Sequence, residues 1–189
     1  APGDVRLTVV VPAFMEEGRI GVSVKRLFAD LDTLAAYGGL EVLVVDDGSS
    51  DGTVAEAEAA GATVLVHAQN RGKGAAVRSG AAVARGRTIA FTDADLAYDP
   101  AHLLVLLDRV EAGWDVAVGS RRHTDTVTLV RARRLREFGG LFINVLTPLI
   151  LVSGFSDSMH LVFAIRRDIV AGVDRITAAK NAVREVAPA

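Results

Sequence analysis

Residues 41–60 read EVLVVDDGSSDGTVAEAEAA, and the stretch changes character halfway along. Its first half is a nearly unbroken apolar run rich in β-branched residues, the pattern of a strand buried on both faces. Two carboxylates, Asp46 and Asp47, close that run. Gly48 and Gly52 then permit a tight turn, and residues from Thr53 to Ala60 carry helical spacing. Ser50 or Asp51 is placed to cap that helix, a purely local role. A buried strand turning directly into a helix is half of a parallel crossover unit.

Outward from this unit the same alternation recurs. RLTVVVPA (6–13), ATVLVHA (62–68), TIAFTDAD (88–95) and WDVAVGSR (114–121) read as further strands, each apolar enough to be buried on both faces. Helical spacing fills the intervals from about Glu17 to Ala36, Gly72 to Ala84 and Pro100 to Glu111. Such alternation implies parallel strands joined by right-handed crossovers. The expected fold is therefore α/β, a doubly wound, mostly parallel sheet. Ligands of such sheets bind beyond the carboxyl ends of the strands. The polar residues obey this rule: Asp46 and Asp47 end the second strand, Asp93 and Asp95 the fourth, Ser120 and Arg121 the fifth. Trp114 and Tyr37 are read as packing residues.

Composition narrows the function. The 189 residues fit one domain with a full core. A formal net charge of -2 gives no global attraction to nucleic acid, so no nucleic-acid partner is expected. The absence of cysteine removes disulfides, thiolate metal sites and a catalytic thiol, and is compatible with a reducing cytosolic compartment. The first residues, APGDVRLTVVVPAF, show no basic leader followed by an apolar stretch and a cleavage site, so no secretory signal is expected. His67, His102, His123 and His160 have no mutual metal-ligand spacing and are read as structural or exposed.

Three stretches carry chemistry. Asp93 and Asp95 lie two apart, so in a regular strand they share a face. Carboxylates that close repel, and a divalent cation removes the penalty; an all-oxygen shell favours Mg²⁺ or Mn²⁺ shared with substrate phosphates. A solvated loop is the plainer alternative, and Asp99 before Pro100 fits a helix cap. At the second strand end, one of Asp46 and Asp47 should face the pocket, where a carboxylate can accept from a base N–H or ribose hydroxyls. In NRGKGAAVRSG (70–80), Gly72, Lys73 and Gly74 precede a helix, and N-terminal amides with a lysine suit a phosphate group. The P-loop spacing is absent, and an exposed flexible loop has the same composition.

Beyond Arg121 the pattern changes. Arg131, Arg133, Arg134 and Arg136 precede the apolar run GGLFINVLTPLILVSGF (139–155). That run contains Asn144 and Pro148 and falls short of the roughly 20 residues of a spanning helix. Residues 131–155 read instead as a membrane-interface segment, with basic side chains drawn to anionic headgroups. A core helix with a solvated basic turn is the alternative. Residues 169–189 read as an amphipathic C-terminal helix.

Taken in order, VVVPAFMEE, VLVVDDGSSDGT, NRGKGAAVRSG, TDADL and GSR resemble the family 2 glycosyltransferases of the glycosyltransferase A fold. The likeness is strongest to dolichyl- and polyprenyl-phosphate glucosyl- and mannosyltransferases, and it runs from about Arg6 to Asp168. It implies a single nucleotide-sugar transferase domain over residues 1–168, with another helix or two expected past the end. By this likeness Pro12, Phe14 and Glu16 line the nucleotide, and Asp47, with Asp46 beside it, contacts base and ribose. Asp93, Ala94 and Asp95 match the D-x-D that holds ribose, metal and diphosphate, while Arg121 matches the arginine placed to neutralise phosphate, where Lys73 could add charge. FSDSMHLVFAIRRD (155–168) is similar to the family's last motif and puts Asp157 near the acceptor. Met15 replaces an Asn and Ala97 a Gln found in mannosyl enzymes, both compatible with a glucosyl variant. Met159 and Phe163 depart from the Gln and Lys of the last motif, on the acceptor side.

The implied activity is metal-dependent transfer of a hexose from UDP-glucose or GDP-mannose to a polyprenyl phosphate, with Mg²⁺ or Mn²⁺ as cofactor. The implied location is peripheral, at the cytoplasmic face of a membrane. A phosphate monoester with a second pKa of about 6 is already ionised at neutral pH and needs no strong base. A sugar-hydroxyl acceptor is the nearest rival, and it requires a carboxylate such as Asp157 within reach. A receiver-like domain and a non-catalytic nucleotide-binding relative are the alternatives from other classes.

Overall fold

The computed structural model describes residues 5–36, 39–119 and 163–166, the last by their backbone alone. Strand β1 (Leu7–Ala13) is apolar at almost every position and occupies the middle of the sheet. It pairs in parallel with β2 (Leu40–Asp46) on one side and with β4 (Thr88–Phe91) on the other. Strand β3 (Thr63–Val66) adds in parallel outside β2. Beyond β4 lies β6 (Phe163–Arg166), antiparallel both to β4 and to β5 (Val116–Val118). The order is β3-β2-β1-β4-β6-β5.

The period-2 alternation of β1 sends Leu7, Val9, Val11 and Ala13 to one face and Val10 to the other. On the first face α1 (Ile20–Asp30) delivers Ile20, Val24 and Leu27, and α5 (His102–Glu111) delivers Leu103, Leu107 and Val110. Both sets follow helical spacing, so one stripe of each helix is buried. Ala57 of α3 (Thr53–Ala59) joins the same cluster. On the second face α4 (Lys73–Val83) covers Val10, Leu43 and Val45. It sits unusually close: a Cβ at Gly80 would lie 2.5 Å from Val10 Cγ1 and 2.9 Å from Val45 Cγ2, so any larger residue would push the helix away. With helices on both faces, the sheet is doubly wound as the sequence implies.

Four local expectations are corrected. The single helix expected over 17–36 breaks at Leu31, which has φ -112 and ψ 28, and resumes as α2 (Asp32–Ala35). Leu27, Leu31 and Leu34 keep a helical apolar spacing through the break, which is why periodicity does not show it. β3 is not buried on both faces: it is a sheet edge, and Val66 is 54% exposed. Trp114 is no packing residue either, at 51% exposed. Finally, β6 runs antiparallel and inserts between β4 and β5, within a stretch read above only as an acceptor-side motif. Tyr37, residues 131–155 and the 169–189 helix lie outside the described residues. No helix among the described residues is long and apolar enough to cross a membrane.

Candidate active site

The chain leaves β1 toward β2 and β3 on one side and returns at β4 on the other, so the connections diverge at the carboxyl end of β1. Open α/β sheets place their ligand crevice at such a point. A cavity lies there, lined by Pro12, Phe14 and Glu16 from the end of β1. Asp47 follows β2, Lys73 opens α4, and Asp93, Ala94 and Asp95 follow β4 on the same cavity wall. Residues drawn from four separate motifs thus meet in one crevice. Arg121 and Asp157 lie outside the described residues.

The acidic pair arrives by a route other than strand alternation. β4 ends at Phe91, and Asp93–Asp95 form a turn in which Leu96 N donates to Asp93 O at 3.1 Å. Leu96 takes φ +46, a left-handed conformation that costs a bulky residue about 1–3 kcal/mol. Its side chain is buried in the main core, which holds it there. Ser23 Oγ of α1 donates to Ala94 O at 2.6 Å, fixing the turn from the other side. Asp95 Oδ1 accepts from Ala97 N at 3.1 Å, and Asp93 Oδ1 lies 2.5 Å from Lys73 Nζ. A built turn that presents two carboxylates to a cavity, one beside an ammonium, is a place where positive charge is stabilised. It fits a Mg²⁺ or Mn²⁺ that completes its shell with diphosphate oxygens. Among the described residues no group of three or more His, Cys, Asp or Glu side chains is arranged to hold a metal ion, so a cation at Asp93 and Asp95 would need phosphate or water oxygens to complete its shell.

The other acidic pair divides its labour. Asp46 follows Val42 and Val44 in parity, is 0% exposed and is not among the cavity-lining residues. Its Oδ2 accepts from Gly48 N at 3.2 Å and Ser49 N at 3.0 Å, so it shapes the turn. Among the described residues its buried Oδ1 has no hydrogen-bond partner. Asp47, of opposite parity, reaches the cavity wall with 3% exposure, but its oxygens are already engaged. Oδ1 accepts from Arg71 N at 3.0 Å and lies 2.7 Å from His67 Nδ1; Oδ2 accepts from Gly72 N at 2.7 Å. Burial pushes this carboxyl up, yet the hydrogen bonds from His67, Arg71 and Gly72 outweigh it and hold the group below its ordinary value.

The first loop is tied to the same turn. Met15 has φ +56 and donates its N–H to Ser49 Oγ at 2.9 Å, while Glu16 N donates to Thr53 Oγ1 at 2.8 Å. Asp51 is not the cap of α3, whose N-cap is Gly52, and ties the loop instead: its Oδ2 accepts from Glu17 N at 3.2 Å and its Oδ1 from Thr53 N at 3.1 Å. Hydrogen bonding from Thr53 lowers its pKa. Phe14 is left 48% exposed on the cavity wall. Asp99 is not the cap of α5, which begins at His102 with Ala101 at its N-cap; it accepts from Ala101 N at 2.9 Å in the turn ahead of the helix.

Three residues of the site escaped the sequence reading. Arg19 lines the cavity and pairs with Glu16 at 2.8 Å, an i,i+3 spacing that was visible. Asn70 also lines it, and its Oδ1 accepts from Gly72 N at 3.1 Å. His67, read as structural or exposed, is buried against Asp47.

This architecture recurs in known proteins. A dolichyl-phosphate beta-glucosyltransferase from Drosophila melanogaster is 39% identical over 137 residues, 63% of this chain and 41% of the relative. Another, from Trichomonas vaginalis, is 32% identical over 174 residues, 84% of this chain and 51% of the relative. The crystal structure of Mycobacterium tuberculosis glucosyl-3-phosphoglycerate synthase aligns with a TM-score of 0.58 at 25% identity, covering 87% of this chain and 58% of that one. The chain spans about half the length of the curated relatives it matches. Residues 8–172 match the family model described as Glycosyl transferase family 2, and the chain belongs to that family.

Proposed function

We propose that this chain transfers a hexose from a nucleotide diphosphate sugar to a polyprenyl phosphate. The observation that carries the reading is the meeting of Lys73, at the N-terminus of α4, with Asp93 in a cavity shared with Asp95. That arrangement suits a diphosphate, since helix N-terminal amides and an ammonium attract the anion while the carboxylates hold its counter-ion. Pro12 and Phe14 wall the side where a nucleoside would lie.

Asp93 and Asp95 are the proposed ligands of Mg²⁺ or Mn²⁺, and the bound cation supplies Lewis-acid stabilisation of the leaving diphosphate. Lys73 and Arg121 add positive charge to the same leaving group. An oxygen of the acceptor phosphate forms the new bond to the anomeric carbon as the bond from that carbon to the nucleoside diphosphate breaks. No proton has to leave the acceptor, so a strong base is unnecessary. Asp157 is assigned to the acceptor side. Asp47 acts on the donor side through the loop it holds.

The acceptor assignment is supported by the two dolichyl-phosphate beta-glucosyltransferases similar to this chain. Ala97, in place of the Gln that the family likeness associates with mannosyl enzymes, is compatible with glucose and so with UDP-glucose as donor. Residues 131–155 are proposed to dock the domain of residues 1–168 at the cytoplasmic face of a membrane, where the lipid acceptor lies. Family membership leaves the receiver-like alternative without support.

A thermal-shift panel of UDP, GDP, UDP-glucose and GDP-mannose, with and without Mn²⁺, tests the donor site. A ligand at a hundred times its dissociation constant stabilises by about 2.7 kcal/mol. The reading expects a shift for one nucleotide series that grows with Mn²⁺. No shift with any member of the panel contradicts it.

A further inference from the structure

We infer that His67 is a positioning residue for the diphosphate-binding end of α4, acting through Asp47. The kinetic part of this inference rests on the donor-site reading above; the structural part does not. His67 continues β3 by one residue, its N–H donating to Asp46 O at 2.9 Å. Its ring is 8% exposed and has a partner at each nitrogen: Asp47 Oδ1 at 2.7 Å from Nδ1, Ser79 Oγ at 2.9 Å from Nε2. An ionised carboxylate only accepts, so Nδ1 carries the hydrogen in that bond, while Nε2 pairs with the Ser79 hydroxyl. The two contacts set the ring orientation.

The fixed ring holds Asp47 in turn. With one oxygen facing His67, the carboxylate faces the chain just ahead of α4, accepting from Arg71 N and Gly72 N. Gly72 has φ +85 and ψ 153, so the chain turns sharply there before Lys73 begins the helix. The same loop is pressed from below, since a Cβ on Gly48 would lie 2.8 Å from the carbonyl carbon of Gln69. The sequence of contacts runs from Ser79 through His67 and Asp47 to Arg71 and Gly72, and ends at Lys73 beside Asp93. Without the Nδ1 donor, Asp47 keeps only its bonds to Arg71 N and Gly72 N, and the loop that leads to Lys73 loses one of its anchors. The order Ser79–His67–Asp47 resembles a nucleophilic triad, but Ser79 lies inside α4 and is not among the cavity-lining residues, so no substrate carbonyl meets it.

Two substitutions separate the ring's two contacts. In His67→Asn the side-chain amide stands near the place of Nδ1 and can still donate to Asp47. In His67→Gln it stands near the place of Nε2 and reaches Ser79 instead. Amide hydrogen exchange at Arg71 and Gly72, and titration with UDP and GDP in the presence of Mn²⁺, are read on each variant. The expected result for H67Q is exchange faster by about tenfold or more at both amides. Its dissociation constant and KM for the nucleotide should rise about tenfold, with kcat within about twofold. H67N should restore both readouts to within about threefold of the parent. A role confined to fold stability would lower the amount of active protein and kcat without raising the dissociation constant.

H67Q with unchanged exchange and affinity, or H67N as impaired as H67Q, overturns the inference. In the unsubstituted protein, a slowly exchanging imidazole Nδ1–H should be visible by NMR at neutral pH; its absence overturns the inference without any variant. Should the parent bind neither UDP nor GDP, the donor-site reading fails, and exchange at Arg71 and Gly72 still decides the role of His67.

Discussion

Lys73 Nζ lies 2.5 Å from Asp93 Oδ1, although the two residues belong to different strand–helix units. The pair joins the N-terminus of α4 to the end of β4 across the cavity. Both side chains keep access to water, at 46% and 19% exposed, so the pair contributes little to folding. Its consequence is local: a cation already stands beside one of the two carboxylates assigned to the metal.

Lys73→Met should therefore leave the thermal midpoint within a few degrees of the parent and act on ligand binding. Loss of a charged hydrogen bond to the diphosphate should cost about 1.5–3 kcal/mol in nucleoside diphosphate affinity. Affinity for the bare nucleoside should change little. Calorimetric titration of UDP and uridine, or GDP and guanosine, separates the two; equal losses for nucleoside and diphosphate would remove Lys73 from the phosphate site.

Asp95 is exposed and accepts from Ala97 N, so Asp95→Asn keeps the turn and removes a hard anionic ligand. Sugar-nucleotide turnover should collapse while the circular dichroism and thermal midpoint stay near those of the parent. Asp93→Asn also releases Lys73 and should weaken both Mn²⁺ and nucleotide binding. Full turnover in both variants would contradict the assignment.

Asp47 links stability to pH. Its carboxyl is pushed up by burial but held lower by His67, Arg71 and Gly72, for a net lowering. A group whose folded pKa lies below its unfolded value of about 3.9 stabilises the fold above that value and stops doing so as pH falls through the folded one. Asp47→Asn should flatten the acid limb of a thermal-midpoint profile below about pH 4. Asp47→Ala should in addition cost about 1.5–3 kcal/mol in nucleotide affinity, through loss of the loop anchor. Asp51→Ala, which loosens the tie from Glu17 to Thr53, should lower stability and affect affinity little. The reverse pattern would show that the two acids have been given each other's roles.

The central sheet was legible because a strand buried on both faces reads as an unalternating apolar run, as in LTVVVPA and LEVLVVD. The ends of those runs located the crevice, since Asp47, Asp93 and Asp95 are polar where the apolar pattern stops. Strand order was less accessible. β6 is a short apolar run whose partners, β4 and β5, are remote in sequence, and local pattern carries no information on such pairing. The facing of Asp46 and Asp47 is a matter of parity: Asp47 shares the face of Leu43 and Val45 under α4, and only the packing of α4 reveals that. His67 lacked a signal of any kind, because its partners come from β2 and α4 and meet only once the strands are side by side.

The basic cluster offers a separate test of membrane docking. Arg131, Arg133, Arg134 and Arg136 lead into Leu141, Phe142, Ile143, Val145 and Leu146. The protein should pellet with anionic liposomes more than with neutral ones, and salt should weaken that binding. Neutralising Arg133, Arg134 and Arg136 together should reduce liposome binding and transfer to a long-chain acceptor while sparing nucleotide affinity. Equal pelleting with neutral and anionic vesicles would argue against charge-guided docking.

The most direct measurement is transfer of labelled hexose from UDP-glucose or GDP-mannose to a polyprenyl phosphate, followed by extraction of the lipid phase. Label should enter the lipid from one of the two donors, require Mg²⁺ or Mn²⁺, and disappear on chelation and in Asp95→Asn. Label that reaches only a sugar-hydroxyl acceptor, or none of the offered acceptors from either donor with metal present, would contradict the account.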